Sequence, residues 1–387
     1  MPIKTAAIVG AGVAGLSAAL ALARHGIESD IIEQAAQLSE VGAGLQISPN
    51  ASRILDALGV LDTLKDKWNE PDWLNLMDGR RLKPLTALPA GQFAQRRWGA
   101  PYGVLHRATL QQALLQAVID NPLCRLHLDA RLLSPDRASV EALTGRAAAM
   151  TIGADGVWSV MRAAIANSPK VDFSGNIAWR FTVPRKDAPD FLRAENLMAF
   201  LGPDSHLVSY PLRETDAVNV VAITAGATTG ETWASKGSDA ERAMLVRRFA
   251  RWHPAVRQFL AGAPDPSFWP LYQAGDGRWH NDRDTVLIGD AAHAMMPFAA
   301  QGAGMAIEDA FALASAVATR PLGEALLQFE QMRKPRIAKV RRRADLNRFA
   351  YHARGPFRLG RDMVFSLRPP ERLAADLDWL YGYRCGL

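Results

Sequence analysis

The chain has 387 residues, 49% of them hydrophobic and 22% charged, with a formal net charge of +6. This length is enough for two domains with substantial cores, and the composition is that of an ordinary globular protein. No apolar run approaches the about 18–20 residues that a membrane-spanning helix needs, and no cleavable signal pattern opens the chain, so we expect a cytoplasmic protein without a membrane partner. The two cysteines, Cys124 and Cys385, are far apart in sequence, and we expect reduced thiols.

The first elements of the chain predict a nucleotide-binding β-turn-α-β unit. An apolar strand at 6–9 is followed by three glycines at the spacing GxGxxG, then by a helix and a second strand that ends at Glu33. Gly10 makes the tight turn, Gly12 admits a pyrophosphate, and Gly15 allows close packing of helix on strand. Glu33 is placed to bond the ribose hydroxyls of an adenosine. The motif predicts a dinucleotide site but does not distinguish NAD from FAD.

A second glycine-rich junction follows residue 285. An apolar strand at 285–288 stops at Gly289-Asp290, a loop containing Pro297 follows, and small residues from Gly302 onward open a helix. Free N–H groups at a helix start bind anions, and glycines let a ligand approach the backbone. An acidic residue before such a site can accept hydrogen bonds from sugar hydroxyls. The sequence therefore predicts that this junction is half of a flavin pocket whose other half is the N-terminal unit.

Three further motifs complete the pattern. They are the glycine-rich turn and helix start Val41-Gly-Ala-Gly44-Leu45-Gln-Ile-Ser-Pro-Asn50-Ala-Ser-Arg53, the segment Leu105-His-Arg107-Ala-Thr-Leu110, and Gly153-Ala-Asp155-Gly156-Val-Trp-Ser-Val-Met-Arg162. With the two glycine-rich junctions, and in this order, they make the chain similar to the group A flavoprotein aromatic hydroxylases. It resembles most the salicylate hydroxylase-like branch, which includes 3-hydroxybenzoate and 6-hydroxynicotinate hydroxylases. The resemblance covers nearly the whole chain, to Trp379-Leu-Tyr-Gly-Tyr383.

The resemblance implies non-covalent FAD as the cofactor, with NADH or NADPH as a transient cosubstrate and O2 as the oxidant. In this family Arg107 would reach the FAD phosphate and ribitol region, Asp290 the ribityl chain, and Asp155 both FAD and the pyridine nucleotide. The alternatives are that Arg107 is a surface cation and Asp155 a turn former. The full set of implied cofactor residues is Gly10, Gly12, Ala14, Gly15, Glu33, Gln34, Gly44, Leu45, Arg107, Asp155, Asp290, Pro297, Gly302, Ala303, Gly304 and Met305.

The predicted fold class is α/β, as in p-hydroxybenzoate hydroxylase. We expect a Rossmann-like FAD-binding domain formed by residues 1–68, 101–170 and 276–330, and a C-terminal helical region at 331–387. Short strands between Gly, Pro and Asp signals occupy 69–100 and 171–275, and they predict an inserted, mostly antiparallel substrate domain. Its sheet would cover the flavin ring and form the substrate chamber.

The strand at 206–210 is the candidate for substrate chemistry. Period two places His206, Val208 and Tyr210 on one face. In the resembled hydroxylases a His and a Tyr at this spacing contact the ring hydroxyl, and a glutamine matching Gln301 lies at the same site. The alternative is a buried structural histidine beside an ordinary strand tyrosine. Pro297 and Arg180 complete the substrate set, with Arg180 as the candidate for holding a carboxylate.

The implied reaction explains why these side chains are wanted. Reduced flavin captures O2 as a C4a-hydroperoxide, whose distal oxygen is attacked by the ortho or para carbon of a phenolate. A histidine can remove the phenol proton near neutral pH, and the chamber must exclude water. The predicted function is therefore NAD(P)H-dependent hydroxylation of a small anionic phenol or hydroxypyridine. The alternatives are a flavin-binding protein without hydroxylase activity and an FAD oxidase or dehydrogenase.

Other patterns narrow the partners. No second GxGxxG unit follows, which disfavours reductases with a separate NAD(P)H domain. The histidines show no ligand spacing, so we expect no metal, and His293 is either structural or close to the flavin. One predicted helix is strongly basic, and we interpret its cations as a solvated face and expect no nucleic acid partner; these are Arg333, Lys334, Arg336, Lys339, Arg341, Arg342, Arg343 and Arg348. We expect a monomer or a homodimer.

Overall fold

The structure is a computed structural model that describes residues 2–38, 44–192, 195–226, 235–236, 238–264 and 266–386. Three positions of the predicted turn at Val41-Gly-Ala-Gly44 lie outside the described residues. The strands are β1 (Thr5–Val9), β2 (Glu28–Ile32), β3 (Gly44–Ile47), β4 (Trp73–Asp78), β5 (Lys83–Pro89), β6 (Gly103–His106), β7 (Cys124–His127), β8 (Met150–Gly153), β9 (Val171–Pro184), β10 (Leu197–Gly202), β11 (Ser205–Leu212), β12 (Ala217–Ala225), β13 (Ser235–Lys236), β14 (Ser267–Ala274) and β15 (Thr285–Leu287).

Helices cover both faces of the first sheet and form the C-terminal part of the chain. They are α1 (Val13–Ala23), α2 (Pro49–Ala57), α3 (Gly91–Trp98), α4 (Arg107–Ile119), α5 (Arg137–Thr144), α6 (Asp239–Arg248), α7 (Pro254–Ala261), α8 (Asp290–His293), α9 (Gly302–Thr319), α10 (Leu322–Tyr351), α11 (Gly355–Leu367), α12 (Pro370–Ala375) and α13 (Asp378–Tyr381).

A five-stranded parallel sheet forms the first domain, in the order β15-β8-β1-β2-β7. Strand β1 is almost wholly buried, as the short apolar run predicted, because parallel sheets are covered by helices on both faces. Helix α1 packs against α9, so the two predicted glycine junctions meet on one side of this sheet. The Rossmann-like domain predicted from the sequence is confirmed.

An eight-stranded sheet forms the second domain, in the order β13-β14-β9-β12-β11-β10-β4-β5. All of its pairs are antiparallel except β10 with β4. One face packs on α6 and α7 through buried residues such as Trp179, Phe249 and Trp252. The other face carries Ala178 and Ile223, which pack in one cluster with Phe298. This face is directed toward the first domain and α10. The predicted mostly antiparallel second sheet is confirmed.

The C-terminal helices join the two domains. Helix α10 is 30 residues long and contains Pro335 in its interior. The predicted boundary between 330 and 331 falls inside this helix, and the domain limits stay a prediction. No helix of the described ranges is both long and apolar enough to cross a membrane.

The interpretation of the basic helix as a solvated face is wrong for two of its residues. Arg333 is fully buried, and Arg336 is 8% exposed. Both project from α10 onto α9, where Arg333 donates to Glu308 Oε2 (2.6 Å) and to Asp309 Oδ1 (2.7 Å), and Arg336 donates to both oxygens of Glu308. Two buried carboxylates need buried counterions, and helical spacing of three places these two arginines on one face.

Candidate active site

The N-terminal glycine turn has the shape that a pyrophosphate requires. A Cβ on Gly15 would lie 1.9 Å from the Gly10 carbonyl oxygen, and Gly10 itself has a φ of +104°. A Cβ on Gly12 would meet no protein atom within 4 Å. Gly12 is also the N-cap of α1, whose first turn carries no acidic residue. The turn is therefore closed toward the protein and open at the helix start, which fits an anionic ligand.

Glu33 organises the same turn. Its Oε2 accepts the Ala11 N–H and its Oε1 accepts the Ala35 N–H, each at 2.9 Å. The carboxylate thus holds the loop after β1 against the end of β2, and its assignment to the ribose stays a prediction. The neighbouring Gln34 is exposed. Ala14 packs close to Gly289, where a Cβ would lie 3.1 Å from the Ala14 methyl group.

The second glycine junction lies against the first. Gly289 has a φ of +59°, and α8 begins directly after it with the exposed Asp290. Helix α9 begins at Gly302, where a Cβ would again meet nothing within 4 Å. Between the two helices, Ala300 adopts a left-handed φ of +51°, a costly conformation for a residue with a side chain. Two open helix starts, Gly12 and Gly302, therefore belong to two helices that pack on each other.

Hydrogen bonds to the buried Asp309 fix the rest of this junction. Asp309 Oδ2 accepts the Gly289 N–H (2.9 Å) and a hydrogen bond from His293, which is 1% exposed. His293 thus stabilises this junction, and its place near the flavin stays a prediction. Burial would raise the pKa of Asp309, but the charges of His293 and Arg333 outweigh it and lower that pKa. Met305 is also buried, with its carbonyl bonded to Arg333, whereas Ala303 is partly exposed at the helix start.

Asp155 lies beneath the glycine turn, with its Cα 3.0 Å from the Cβ that Gly10 would carry. Its Oδ2 accepts the Val160 and Met161 N–H groups, while Oδ1 is buried without a hydrogen-bond partner. Burial raises the pKa of this carboxyl, against the lowering effect of those hydrogen bonds. Its unpaired oxygen fits a ligand hydroxyl.

Arg162 was not predicted as a site residue. Its guanidinium donates to the carbonyls of Ala291 and Asp290, each at 2.8 Å, and to the carbonyls of Val157 and Gly156. It therefore holds the Asp155-Gly156 loop against α8. Its sequence signal was present, because it closes the motif that begins at Gly153, but the motif alone does not say what the arginine contacts.

A second unpredicted residue is Gln111. It lies one turn after Arg107, which is the half-buried first residue of α4. The Gln111 side chain donates to the Ala11 carbonyl at 3.3 Å, and its Oε1 is buried without a partner. A buried glutamine oxygen without a partner beside the glycine turn fits a donor group of a ligand bound there.

Strand β3 brings the cofactor side into contact with the substrate sheet. The Gly44 N–H donates to Asn219 Oδ1 at 2.6 Å, and a Cβ on Gly44 would lie 2.4 Å from the Tyr210 ring. Asn219 is fully buried, and its Nδ2 has no hydrogen-bond partner. An asparagine inside the apolar run of β12 was the available signal for this residue, because a buried amide needs partners. Leu45 is half-buried in the same strand.

The prediction that one face of β11 carries three site candidates is confirmed. His206, Val208 and Tyr210 are on the side that faces the first domain, and Leu207 packs on the opposite side with α6 and α7. His206 is 2% exposed, with its ring 5.0 Å from that of Phe298, next to Pro297. Burial lowers the pKa of His206 well below its usual value, and the neighbouring His352 adds to this effect. The roles of His206 and Tyr210 in chemistry stay predictions.

Four tyrosines, Tyr102, Tyr210, Tyr351 and Tyr381, surround the site side of β11, and we call them the tyrosine cluster. Burial raises the pKa of Tyr102 well above its usual value, and Tyr381, Tyr210 and Tyr351 raise it further. The Tyr102 and Tyr381 rings are 6.0 Å apart, and Tyr351 is 5.4 Å from His206. Only Tyr210 was predicted, because the others come from distant segments.

Two guanidinium groups lie near this cluster. Arg180 is opposite Val221 on β12, which is opposite Val208, so it continues the row of site-facing residues. Its charge lowers the pKa of Tyr210, although burial raises that pKa more. Arg343 of α10 acts in the same direction on Tyr351 and Tyr381, in each case against a larger effect of burial.

Both polar atoms of the Gln301 amide are hydrogen-bonded within the protein. Its Nε2 donates to Ser48 Oγ (2.9 Å), and its Oε1 accepts from Asn50 Nδ2 (3.2 Å). A Cβ on Gly304 would also lie 3.1 Å from this Oε1. Both polar atoms of the amide are thus engaged with α2, which links the loop before α9 to the buried Glu308 through Asn50. Contact of Gln301 with the substrate stays a prediction.

Known proteins share this architecture. A family described as an FAD binding domain matches residues 4–344. A 3-hydroxybenzoate 6-hydroxylase of Klebsiella oxytoca is 32% identical, over 99% of this chain and 97% of that protein. A 3-amino-4-hydroxybenzoate 2-monooxygenase of Streptomyces platensis is 33% identical, over 97% of this chain and 95% of that protein. The solved structure of a salicylate hydroxylase substrate complex has a TM-score of 0.79 at 21% identity, covering 100% of this chain and 96% of that one.

The fold and the two open helix starts define an FAD-binding protein, and the chain belongs to the FAD-binding domain family. It is an FAD-dependent monooxygenase. The family and the cofactor predicted from the glycine motifs are confirmed.

Proposed function

We propose that this enzyme uses NADH or NADPH and O2 to hydroxylate a small aromatic acid that carries a ring hydroxyl, or a related hydroxypyridine. The overall reaction is balanced when the substrate C–H becomes C–OH and the second oxygen atom leaves as water. The reduced nucleotide supplies a hydride, which carries two electrons, and solvent supplies one proton. FAD, when bound and reduced, supplies the activation of O2. The relatives named for hydroxybenzoate and aminohydroxybenzoate reactions support this substrate class.

The observation that carries the proposal is the wall formed by β11. Along β11, His206 precedes Val208 by two residues and Tyr210 follows it by two. The face that carries them is directed toward the cofactor side of the molecule, where Gly44 contacts the Tyr210 ring. A phenol lying against Val208 would have a hydroxyl partner at either end. Because a phenolate is a far better carbon nucleophile than a phenol, a base at this hydroxyl increases the rate of oxygen transfer.

The charges around the wall favour an anion. Arg180 continues the row of site-facing residues, and Arg343 lies near Tyr351 and Tyr381 with a buried Nε that has no hydrogen-bond partner. A carboxylate bound at either guanidinium would gain a charge-assisted hydrogen bond. We propose Arg180 as the carboxylate contact, with Arg343 as the second cation of the chamber.

The test is a panel of aromatic acids scored for nucleotide oxidation, oxygenated product and H2O2. His206→Ala and Tyr210→Phe should each reduce product per nucleotide consumed by at least tenfold, as expected for loss of an acid–base group. Ser209→Ala is the matched control, because Ser209 lies on the opposite face of the same strand and is fully buried. Nucleotide oxidation that gives only H2O2 with every acid would indicate an oxidase instead.

The cellular setting is also a proposal. We infer a cytoplasmic enzyme, and support comes from Cys124 and Cys385, which are free thiols. We propose that nucleic acid is not a partner, since Arg333 and Arg336 already neutralise buried carboxylates. Light scattering coupled to gel filtration distinguishes a monomer from a homodimer.

A further inference from the structure

The buried histidine of the site is hydrogen-bonded to a second histidine that the proposed function does not use. Nδ1 of His206 lies 2.9 Å from Nε2 of His352, and the two ring centroids are 5.1 Å apart. His352 follows α10 as its C-cap residue and is half-buried. The contact joins residues 146 positions apart, so the sheet and α10 must both be in place to form it.

His352 also reaches the surface. It lines a cavity of about 640 Å³ at the junction of α10 and α11, together with Asn176, Phe349 and Phe357. His206, in contrast, is 2% exposed. The pair therefore connects the site-facing side of β11 with this surface cavity.

A single buried histidine would be a poor acceptor of the substrate proton here. Burial lowers the pKa of His206 well below its usual value, and burial lowers the pKa of His352 to about 4, with a further contribution from the charge of Arg348. Each imidazole is neutral at pH 7, and a proton held on either one would repel the other. A base that must not stay charged needs somewhere to pass the proton.

We propose that His206 and His352 form a proton relay from the substrate hydroxyl to the surface cavity, an inference that rests on the proposed function. Nε2 of His206 accepts the phenol proton while Nδ1–H of His206 donates its proton to Nε2 of His352, and Nδ1–H of His352 releases a proton to solvent. The bonds formed and broken balance: one proton enters and one leaves. Both imidazoles end neutral in the other tautomer, and the substrate is a phenolate.

The groups facing this pair are compatible with the proposed transfer. Tyr351 contacts the His206 ring, and the Asp204 N–H donates to the His352 carbonyl. The cavity wall carries both signs of charge, from Asp204 and Asp345 and from Arg348 and Arg354. Arg354 is paired with Asp204 at 2.8 Å, and Arg348 lies 3.8 Å from Asp345, so the exit is close to neutral and does not trap a proton.

The experiment follows proton release when 3-hydroxybenzoate binds to the oxidised holoenzyme, using a pH-indicator dye in a stopped-flow instrument. This readout needs no turnover. His352→Gln keeps a hydrogen-bonding group beside His206 but cannot exchange tautomers, and we expect proton release to slow at least tenfold with FAD content unchanged. His352→Ala should be equally slow and should regain its rate with added imidazole, which the cavity admits. Phe357→Ala, on the same wall and 65% exposed, is the control and should release protons at the wild-type rate.

Two results would overturn the relay. One is His352→Gln with wild-type proton release, and the other is a slow His352→Ala that imidazole does not restore, since that indicates a structural role alone. As a second readout, hydroxylation by the wild type should be nearly independent of pH between 6 and 8, whereas hydroxylation by His352→Gln should rise with pH as hydroxide replaces the relay. If no aromatic acid is hydroxylated by the wild type, the proposed function fails; if hydroxylation is normal in His352→Gln, only the relay fails.

Discussion

Replacing Arg333 with methionine removes the central cation of the buried ion network between α9 and α10. Glu308 and Asp309 then stay in the interior with fewer partners: Arg336 and Asn50 for Glu308, and His293 and the Gly289 N–H for Asp309. Breaking a buried ion pair by removing one partner costs about 3–5 kcal/mol. Because the remaining partners of both carboxylates are retained, we expect a loss near the lower limit, about 3 kcal/mol.

The loss should depend on pH in a defined direction. In the folded protein the pKa values of Glu308 and Asp309 are lower than their ordinary values. Burial alone would raise both pKa values, but the positive charges around the two carboxylates have the larger effect. A depressed carboxyl pKa contributes stability above the unfolded pKa and loses it as pH falls through the folded pKa. Without Arg333 the effect of burial gains weight, so both pKa values rise. The difference between variant and wild type should therefore shrink as pH is lowered from 7 toward 4.

Urea unfolding followed by circular dichroism, with FAD in excess, measures this difference. Arg342→Met is the matched control, because Arg342 is exposed on the same helix and such changes usually alter stability by about 0.5 kcal/mol or less. A loss below about 1 kcal/mol for Arg333→Met at pH 7, under the range cited for buried pairs, would refute the reasoning. So would a loss that is the same at pH 4 and pH 7.

Three further outcomes are expected. Gly15→Ala should fail to fold, because its Cβ would lie 1.9 Å from a backbone oxygen, whereas Gly12→Ala should fold with the melting temperature of the FAD-free wild type and retain little FAD; soluble yield and flavin absorbance distinguish the two. Glu33→Gln should weaken FAD binding by roughly tenfold, about the value of one charge-assisted hydrogen bond, and equal dissociation constants by flavin fluorescence would contradict this. Cys385, with its pKa raised to about 11 by burial, should resist a thiol reagent at pH 8 until urea unfolds the protein.

Local motifs were sufficient to predict the Rossmann-like unit and FAD as the cofactor. Gly15 is required by a contact within its own turn, because a Cβ there would lie 1.9 Å from the Gly10 carbonyl oxygen. Strand periodicity was likewise sufficient to place His206 and Tyr210 on one face of β11. In both cases the pattern and the geometry that it specifies belong to one short segment.

The rest of the site depends on contacts between distant segments. In the sequence, Arg333 is one of several cations in a basic helix. Its burial is understood only from the structure, in which Glu308 and Asp309 of α9 lie opposite it. The same holds for Tyr351, whose position near His206 depends on how α10 crosses the sheet. Sequence spacing carries no information on such pairs, because the helix and the strand fix their own periods but not their mutual register.

The buried arginines also set an order of events during synthesis. The loop before α9, together with Glu308 and Asp309, leaves the ribosome before the two arginines that neutralise these carboxylates, which come 24 and 28 residues later. Arg336 in turn donates to the carbonyls of Trp379 and Leu380, near the end of the chain. A nascent polypeptide therefore carries all its glycine motifs while α9 still lacks the charges that allow it to be buried.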